Sequence, residues 1–149
     1  MKVIPLTGSK CQSILDLEQA MLALPEADTS GGDLQHYFSE GLYARQLTIP
    51  ADTVVVSKIH LKGQINFLLK GTLLVVSEQS TQELTAPQVI VSPPGIKRAV
   101  HTKTEVVWVT VSATNKTDLK EIEEEIIAKD FDDPRLLAKR EEALCLGER

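Results

Sequence analysis

Four polar side chains alternate with other residues along one short segment, and together they could bind a small molecule. They are His60, Lys62, Gln64 and Asn66. Successive side chains of a β-strand point to opposite faces, so a strand over this segment would put all four on one side. Gly63 weakens that register, most of all for Asn66. An imidazole, a cation and two amides suit a carboxylate or a phosphate, so we predict an anion-binding surface.

The sequence lacks the motifs of the common catalytic sites. It contains no G-x-S-x-G nucleophile elbow, no P-loop, no dinucleotide-binding G-x-G-x-x-G and no zinc-binding H-E-x-x-H. No pair of carboxylates can be given acid and base roles. The two cysteines, Cys11 and Cys145, form no C-x-x-C pair and are typical of a reduced protein. The sequence leaves enzymatic activity uncertain and leans against it.

The composition is that of one ordinary globular domain. The chain has 149 residues, of which 42% are hydrophobic and 25% charged. It has no run of about 18 apolar residues and no apolar leader with a small-residue cleavage site. We therefore expect a cytoplasmic protein that makes no contact with a membrane.

The charges are unevenly distributed around a net charge of −5. Residues 41–112 carry four acidic and seven basic side chains, a balance of +3, whereas both flanking segments are acidic. A nucleic-acid-binding face is usually more densely basic, so we do not expect nucleic acid as a partner. A pocket for a small anion in the middle segment fits this balance.

Hydrophobic periodicity divides the chain into three parts. Residues 9–24 have helical spacing, with Ser9 at a capping position, and Pro25 stops the helix. About eight short runs rich in β-branched residues follow, and they indicate a sandwich, jelly roll or small barrel. We predict a single domain over residues 1–149, with an N-terminal helix and loop (1–33), a β-barrel (36–112) and C-terminal helices (116–149).

Turn and capping residues mark the boundaries of these parts. Gly71, after Lys70, predicts a tight turn between two strands. Thr117 is the predicted N-cap of the first C-terminal helix. Asp133 is the predicted N-cap of a second helix, with Pro134 as its first residue.

The order of these elements resembles that of a small single-domain cupin. The first cupin motif aligns on residues 60–71, beginning at His60 and ending at Gly71, and the second aligns on residues 93–98. The resemblance covers about half of the chain and implies a mainly β fold. That fold is a jelly-roll barrel with an N-terminal helix and one or two C-terminal helices.

The resemblance breaks at the metal ligands. Metal-binding cupins use two histidines and a glutamate of the first motif and one histidine of the second. Here the first histidine is His60, the second falls on Lys62, and the last falls on Arg98; the glutamate falls on Asn66 or Phe67. Cations repel a divalent ion, so we predict no metal cofactor, with His60 as the ligand if one is bound.

The same alignment puts Arg98 across the barrel mouth from the alternating segment. Buried cations need an anionic partner, which is either a ligand or an acid of the chain. We therefore predict non-catalytic binding of a carboxylate or a phosphate or nucleotide-type anion. The predicted ligand-binding residues are His60, Lys62, Gln64, Asn66, Arg98 and Tyr43.

Two alternatives remain open. One is a structural or interaction protein, such as a virion or assembly component, whose helices at Ile122 and Leu136 contact a partner. The other is a metal-dependent cupin enzyme with a rearranged ligand set. The segment from His36 to Arg45 also resembles small cupin-like proteins of tailed bacteriophages, which implies an accessory role in the cytoplasm of the host bacterium.

Three more side chains receive structural interpretations. His36 is expected just before the first barrel strand. Arg45 alternates with Tyr43 on one strand face. These two side chains either line the pocket or lie on the surface, and the surface is slightly favoured. Trp108 is expected in the core or in a dimer seam. Both faces of its strand are apolar, which favours a homodimer.

Overall fold

Nine short β-strands form the centre of the chain in the computed structural model, which describes residues 10–30, 32–78 and 80–139. One helix precedes the strands, and another helix and the helical residues 134–139 follow them. The elements are α1 (Lys10–Leu22), β1 (Asp33–Ser39), β2 (Leu42–Ile49), β3 (Val54–Val56), β4 (Gln64–Lys70), β5 (Thr72–Ser77), β6 (Thr81–Thr85), β7 (Gln88–Ser92), β8 (Arg98–Thr102), β9 (Val106–Ala113) and α2 (Leu119–Ile126).

The strands form two antiparallel sheets. The first has the order β1-β2-β9-β4-β7, and the second has the order β3-β8-β5-β6. Their inner faces meet in one apolar cluster, to which both sheets contribute. This cluster contains Ile49, Leu68 and Val106 of the first sheet and Leu73 and Val75 of the second. The mainly β barrel with helices at both ends confirms the predicted fold class.

A turn at Gly71 connects the two sheets. Gly71 has a φ of 94°, and a Cβ atom there would lie 2.2 Å from the backbone oxygen of Glu105. Only glycine fits such a position, because it tolerates the left-handed region and has no Cβ. This confirms the turn predicted after Lys70.

The helices lie where the sequence pattern predicts them, except that the N-cap of α2 is one residue later than predicted. Asp118, and not Thr117, is the N-cap of α2, because its carboxylate accepts a hydrogen bond from the Glu121 amide at 3.0 Å. Asp133 accepts from the Arg135 amide at 3.0 Å and precedes helical residues 134–139, as predicted.

Helix α1 is fixed to the second sheet by one buried ion pair. The ammonium of Lys97 lies 3.0 Å from a carboxylate oxygen of Glu18 and donates to the Ser57 carbonyl at 2.9 Å. The capping prediction at Ser9, the side chain of Cys11, and Cys145 lie outside the described residues. No helix within the described ranges is long and apolar enough to cross a membrane.

Three strands begin or end where the sequence pattern did not predict. The barrel begins with β1 at Asp33, so His36 lies inside the first strand and not before it. Strand β1 is mostly polar, and it forms because all seven residues pair with β2. Strand β3 ends at Val56, and β4 begins only at Gln64. The strand alternation predicted from His60 through Lys62 is therefore wrong.

We expect Gly71→Ala to lower the free energy of unfolding by about 3 kcal/mol, since it combines backbone strain with a collision. Gly41 is the matched control. It has a φ of 73°, but the nearest atom to an added Cβ is 3.8 Å away, so Gly41→Ala adds strain alone, about 1 kcal/mol. Urea denaturation measures both. Equal losses in the two variants would contradict the close approach at Gly71.

Candidate functional site

The interior of the barrel is apolar at one end and polar at the other. Along β2, the inward positions run from Ile49 in the apolar cluster to Arg45 and Tyr43. Directly paired residues share a face of the sheet, and Arg45 pairs with the buried Thr110. Further buried polar residues occupy the inward positions of the polar end: Gln64, Asn66, Ser77, Ser92 and Ser112.

Asn66 forms the boundary between the two ends. It is 2% exposed, and its amide nitrogen donates to Ser92 Oγ at 2.7 Å. Its amide oxygen accepts from Thr110 Oγ1 at 2.9 Å and from Trp108 Nε1 at 3.2 Å. The amide that was predicted to contact a ligand thus bonds within the protein, and Trp108 lies in the interior.

Two arginines face the polar end from opposite sheets. Arg45 lies on β2, and Arg98 lies on β8, where it pairs with the buried Ser77. Both residues are half-buried, and neither guanidinium makes a hydrogen bond or an ion pair with a described residue. Burial lowers the pKa of Arg98.

These guanidinium groups remain open to a partner. Among the described residues, no side-chain nitrogen or oxygen is both fully buried and without a hydrogen bond. The unpartnered nitrogens of Arg45 and Arg98 therefore keep some accessible surface. A half-buried cation in this state has lost hydration without gaining a counter-charge, which is unfavourable.

His60 lies within the electric field of both arginines. Burial, and then the charges of Arg45, Arg98 and Lys58, lower its pKa to about 4, while a hydrogen bond with the Lys58 backbone opposes them. The imidazole is therefore neutral at pH 7. The His60 carbonyl accepts from the Gly95 amide at 2.9 Å, and its backbone forms a β-bridge with Ile127.

Lys62 has its counter-charge in the chain itself. Its ammonium lies 2.8 Å from a carboxylate oxygen of Glu125 and donates to the Ala113 carbonyl at 3.1 Å. The bonds from Lys62 and Thr114 lower the pKa of Glu125. Of the two compensating partners that the sequence left open, the acid of the chain is the one that meets Lys62.

Gln64 is free to bind a ligand, whereas Tyr43 forms part of the wall. Gln64 is 8% exposed, and its side chain makes no hydrogen bond with any described residue. The Tyr43 hydroxyl lies 2.7 Å from Nδ1 of His36, and its ring packs with Ile122 and Ile126 of α2. Burial raises the pKa of Tyr43, and the charge of Arg45 opposes that rise.

The structure thus brings Arg45, Arg98, His60 and Gln64 around one end of the interior. Arg45 was left out of the predicted ligand-binding residues, because a surface position was slightly favoured over the pocket. The available signal was its even spacing from Tyr43 and Ile49, which puts all three on the same strand face.

The donor set does not fit the metal that many cupins carry. No group of three His, Cys, Asp or Glu side chains within the described ranges is placed to hold an ion. His60 is the one histidine at the aligned ligand positions, and the positive charges of Arg45 and Arg98 act on it. Such charges repel a divalent cation, so this set of side chains does not fit a bound metal ion.

We expect His60 to titrate near pH 4, which an NMR pH titration of its ring protons measures. Arg45→Gln removes one positive charge and raises the midpoint. The control, Lys103→Gln, removes a surface cation that pairs with Glu83 and leaves the midpoint unchanged.

The depressed pKa also has a consequence for stability. As the pH falls below 6.5, the unfolded chain takes up a proton at this histidine before the folded chain does. The folded state therefore loses about 2 to 3 kcal/mol of stability from this group between pH 6.5 and 4. If His60 of the native protein instead titrates with a midpoint near pH 6.5, this would contradict the described arrangement of charges around it.

No protein-family model matches the sequence, and neither does any curated protein. Among solved structures, salicylate 1,2-dioxygenase from Pseudoaminobacter salicylatoxidans has a TM-score of 0.54 and 15% identity, covering 78% of this chain and 33% of that chain. KdgF from Halomonas sp. has a TM-score of 0.50 and 15% identity, covering 61% and 86%. An RmlC-like cupin from Shewanella frigidimarina has a TM-score of 0.49 and 20% identity, covering 58% and 79%.

These comparisons concern the fold, because all three identities are low. The resemblance to phage-encoded proteins and the cytoplasmic location stay predictions. The two antiparallel sheets, their shared interior and the likeness to the dioxygenase and to KdgF together give this chain the cupin-like jelly-roll fold.

Proposed function

We propose that this protein binds a small anion at the polar end of its barrel and does not catalyse a reaction. The observation that carries the proposal is the pair of half-buried guanidinium groups, Arg45 and Arg98, on opposite sheets, which no acid within the described ranges neutralises. Arginine presents a planar fork of donors that matches a carboxylate or a phosphate. Gln64 and the neutral His60 add uncharged hydrogen-bonding groups beside the two forks.

The neighbouring lysines support this interpretation by contrast. Lys58 pairs with Glu123, and Lys62 pairs with Glu125. The chain therefore supplies an acid for each of these lysines, whereas no acid in the described part of the chain pairs with Arg45 or Arg98. An anion-binding protein requires cationic side chains inside the barrel that are not neutralised by its own acids.

A catalytic role has less support. The described residues offer no metal-binding cluster, and the low pKa of His60 makes it a weak base at pH 7. Tyr43 and His36 are hydrogen-bonded to each other and packed in the wall.

The alternative of an interaction protein keeps part of its basis, because Leu119 and Leu137 of the same helical segments are 45% and 43% exposed. Ile122 is 2% exposed, and Leu136 is fully buried, so both pack inside this chain. The expectation that these helices present their apolar faces to a partner is wrong for these two residues.

We propose a second copy of this chain as the macromolecular partner. The outward positions of β4, β7 and β9 hold Ile, Leu, Phe or Val, except for Lys70 and Ala113 at two strand ends. On this outer face Val91 is 75% exposed, and Val89 is 65% exposed. Both lie on β7, an edge strand, so this face is open to association.

We expect Arg98→Gln to weaken anion binding by about tenfold to a hundredfold, the loss of one charge-assisted contact. The same substitution should raise the melting temperature of the ligand-free protein, since it removes an unpaired buried charge. Calorimetry with succinate and with methyl phosphate measures the first effect, and thermal unfolding of the dialysed protein measures the second.

Lys103→Gln is the matched control, because it changes the same charge at the surface. It should leave both affinities and the melting temperature near those of the native protein. A ligand-free Arg98→Gln variant that melts below the native protein would make Arg98 a structural cation and would contradict the proposal.

The dimer has a separate test. Val89→Lys with Val91→Lys should give a monomer of 16.4 kDa in light scattering, whereas the native protein has twice that mass. Val54→Lys is the control, because Val54 is an exposed valine on the edge of the other sheet. A native protein that stays monomeric at high concentration would overturn the proposed partner.

A further inference from the structure

Arg45 and Arg98, the two cations at inward positions of the polar end, have no partner among the residues that the structure describes. Helix α2 contributes Glu123 and Glu125, which form ion pairs with Lys58 and Lys62. Segment 57–63 contributes those two lysines and His60. The remaining charges come from the sheets, as Arg45 on β2 and Arg98 on β8.

No acid offsets these two charges from within the barrel. The inward positions of the nine strands, all within the described ranges, hold no aspartate or glutamate. Lys97 precedes Arg98 and therefore belongs to the opposite side of β8, where it pairs with Glu18 of α1. His36 on β1 is hydrogen-bonded to Tyr43.

Resting on the proposed function, we infer that the ligand is a small dianion, a dicarboxylate or a phosphate monoester, with one negative charge for each of Arg45 and Arg98. A monoanion would leave one half-buried guanidinium without a counter-charge. A nucleoside triphosphate would bring about two further charges, and the inward positions of the described strands hold no cation besides Arg45 and Arg98.

The neutral groups fit the same ligand class. His60 is uncharged at pH 7, so it adds a hydrogen-bonding group without adding a third charge. The free amide of Gln64 can donate to a ligand oxygen or accept from a ligand hydroxyl. The two arginines thus set the charge of the ligand, and the uncharged side chains contact its remaining polar atoms.

Two matched pairs of probes test this inference by calorimetry at pH 8 and low salt. Succinate is compared with monomethyl succinate, and methyl phosphate with dimethyl phosphate. In each pair the ester keeps the skeleton and loses one negative charge. We expect the dianion of at least one pair to bind about tenfold or more tightly than its ester. The pair with the stronger preference identifies the anionic group.

The Arg98→Gln variant distinguishes the effect of the lost charge from the effect of the methyl group that each ester adds. If charge causes the preference, the variant binds both members of the pair with nearly equal affinity. If the methyl group simply does not fit, the variant keeps the native preference, and the inference is overturned. NMR shifts of the His60 ring protons locate the binding at this site.

The remaining outcomes separate the inference from the function on which it rests. An ester that binds as tightly as its dianion overturns the inference and leaves anion binding intact. If no probe binds, and native mass spectrometry of the freshly purified protein finds no bound anion, both the proposed function and the inference fail.

Discussion

The side-chain amide of Asn66 is the contact on which the interior of this barrel depends. It links three strands of the first sheet, because Asn66 on β4 bonds to Ser92 on β7 and to both Trp108 and Thr110 on β9. On one side of it the barrel is filled by aliphatic side chains, as an ordinary core is. A satisfied amide is one of the few groups that can lie at such a boundary without leaving a polar atom unpaired.

The charge asymmetry of the sequence has a structural cause in the C-terminal segment. The acidic helix α2 brings its glutamates to the lysines of segment 57–63. The backbone of Leu61 donates to the Ile126 carbonyl at 2.7 Å, and Ala128 donates to the Ile59 carbonyl at 2.9 Å. Two glutamates of the acidic C-terminal segment therefore neutralise Lys58 and Lys62 of the basic middle, whereas no described acid pairs with Arg45 or Arg98.

Much of the fold could be predicted from local signals. The turn at Gly71 and the cap at Asp133 depend on single residues whose backbone preferences are strong. Strand β1 could not be predicted in the same way, because its polar sequence forms a strand only through pairing with β2.

The site was harder to predict because inward polar residues resemble surface residues in a sequence. Gln64 and Arg98 were found through the alignment to cupin motifs, whereas Arg45 lies outside those motifs. Asn66 and Lys62 were assigned to the ligand, but the contacts place their polar groups against Ser92 and Glu125. No short sequence pattern could reveal partners about 26 and 63 positions away.

The position of β9 has a consequence for the biosynthesis of the protein. It is the last strand in the chain, yet it lies in the middle of the first sheet, between β2 and β4. Until residues 106–113 leave the ribosome, the hairpin of β1 and β2 has no neighbour, and β4 lacks one of its two partners. Long-range pairing of this kind is slow, so the barrel closes after most of the chain has been made.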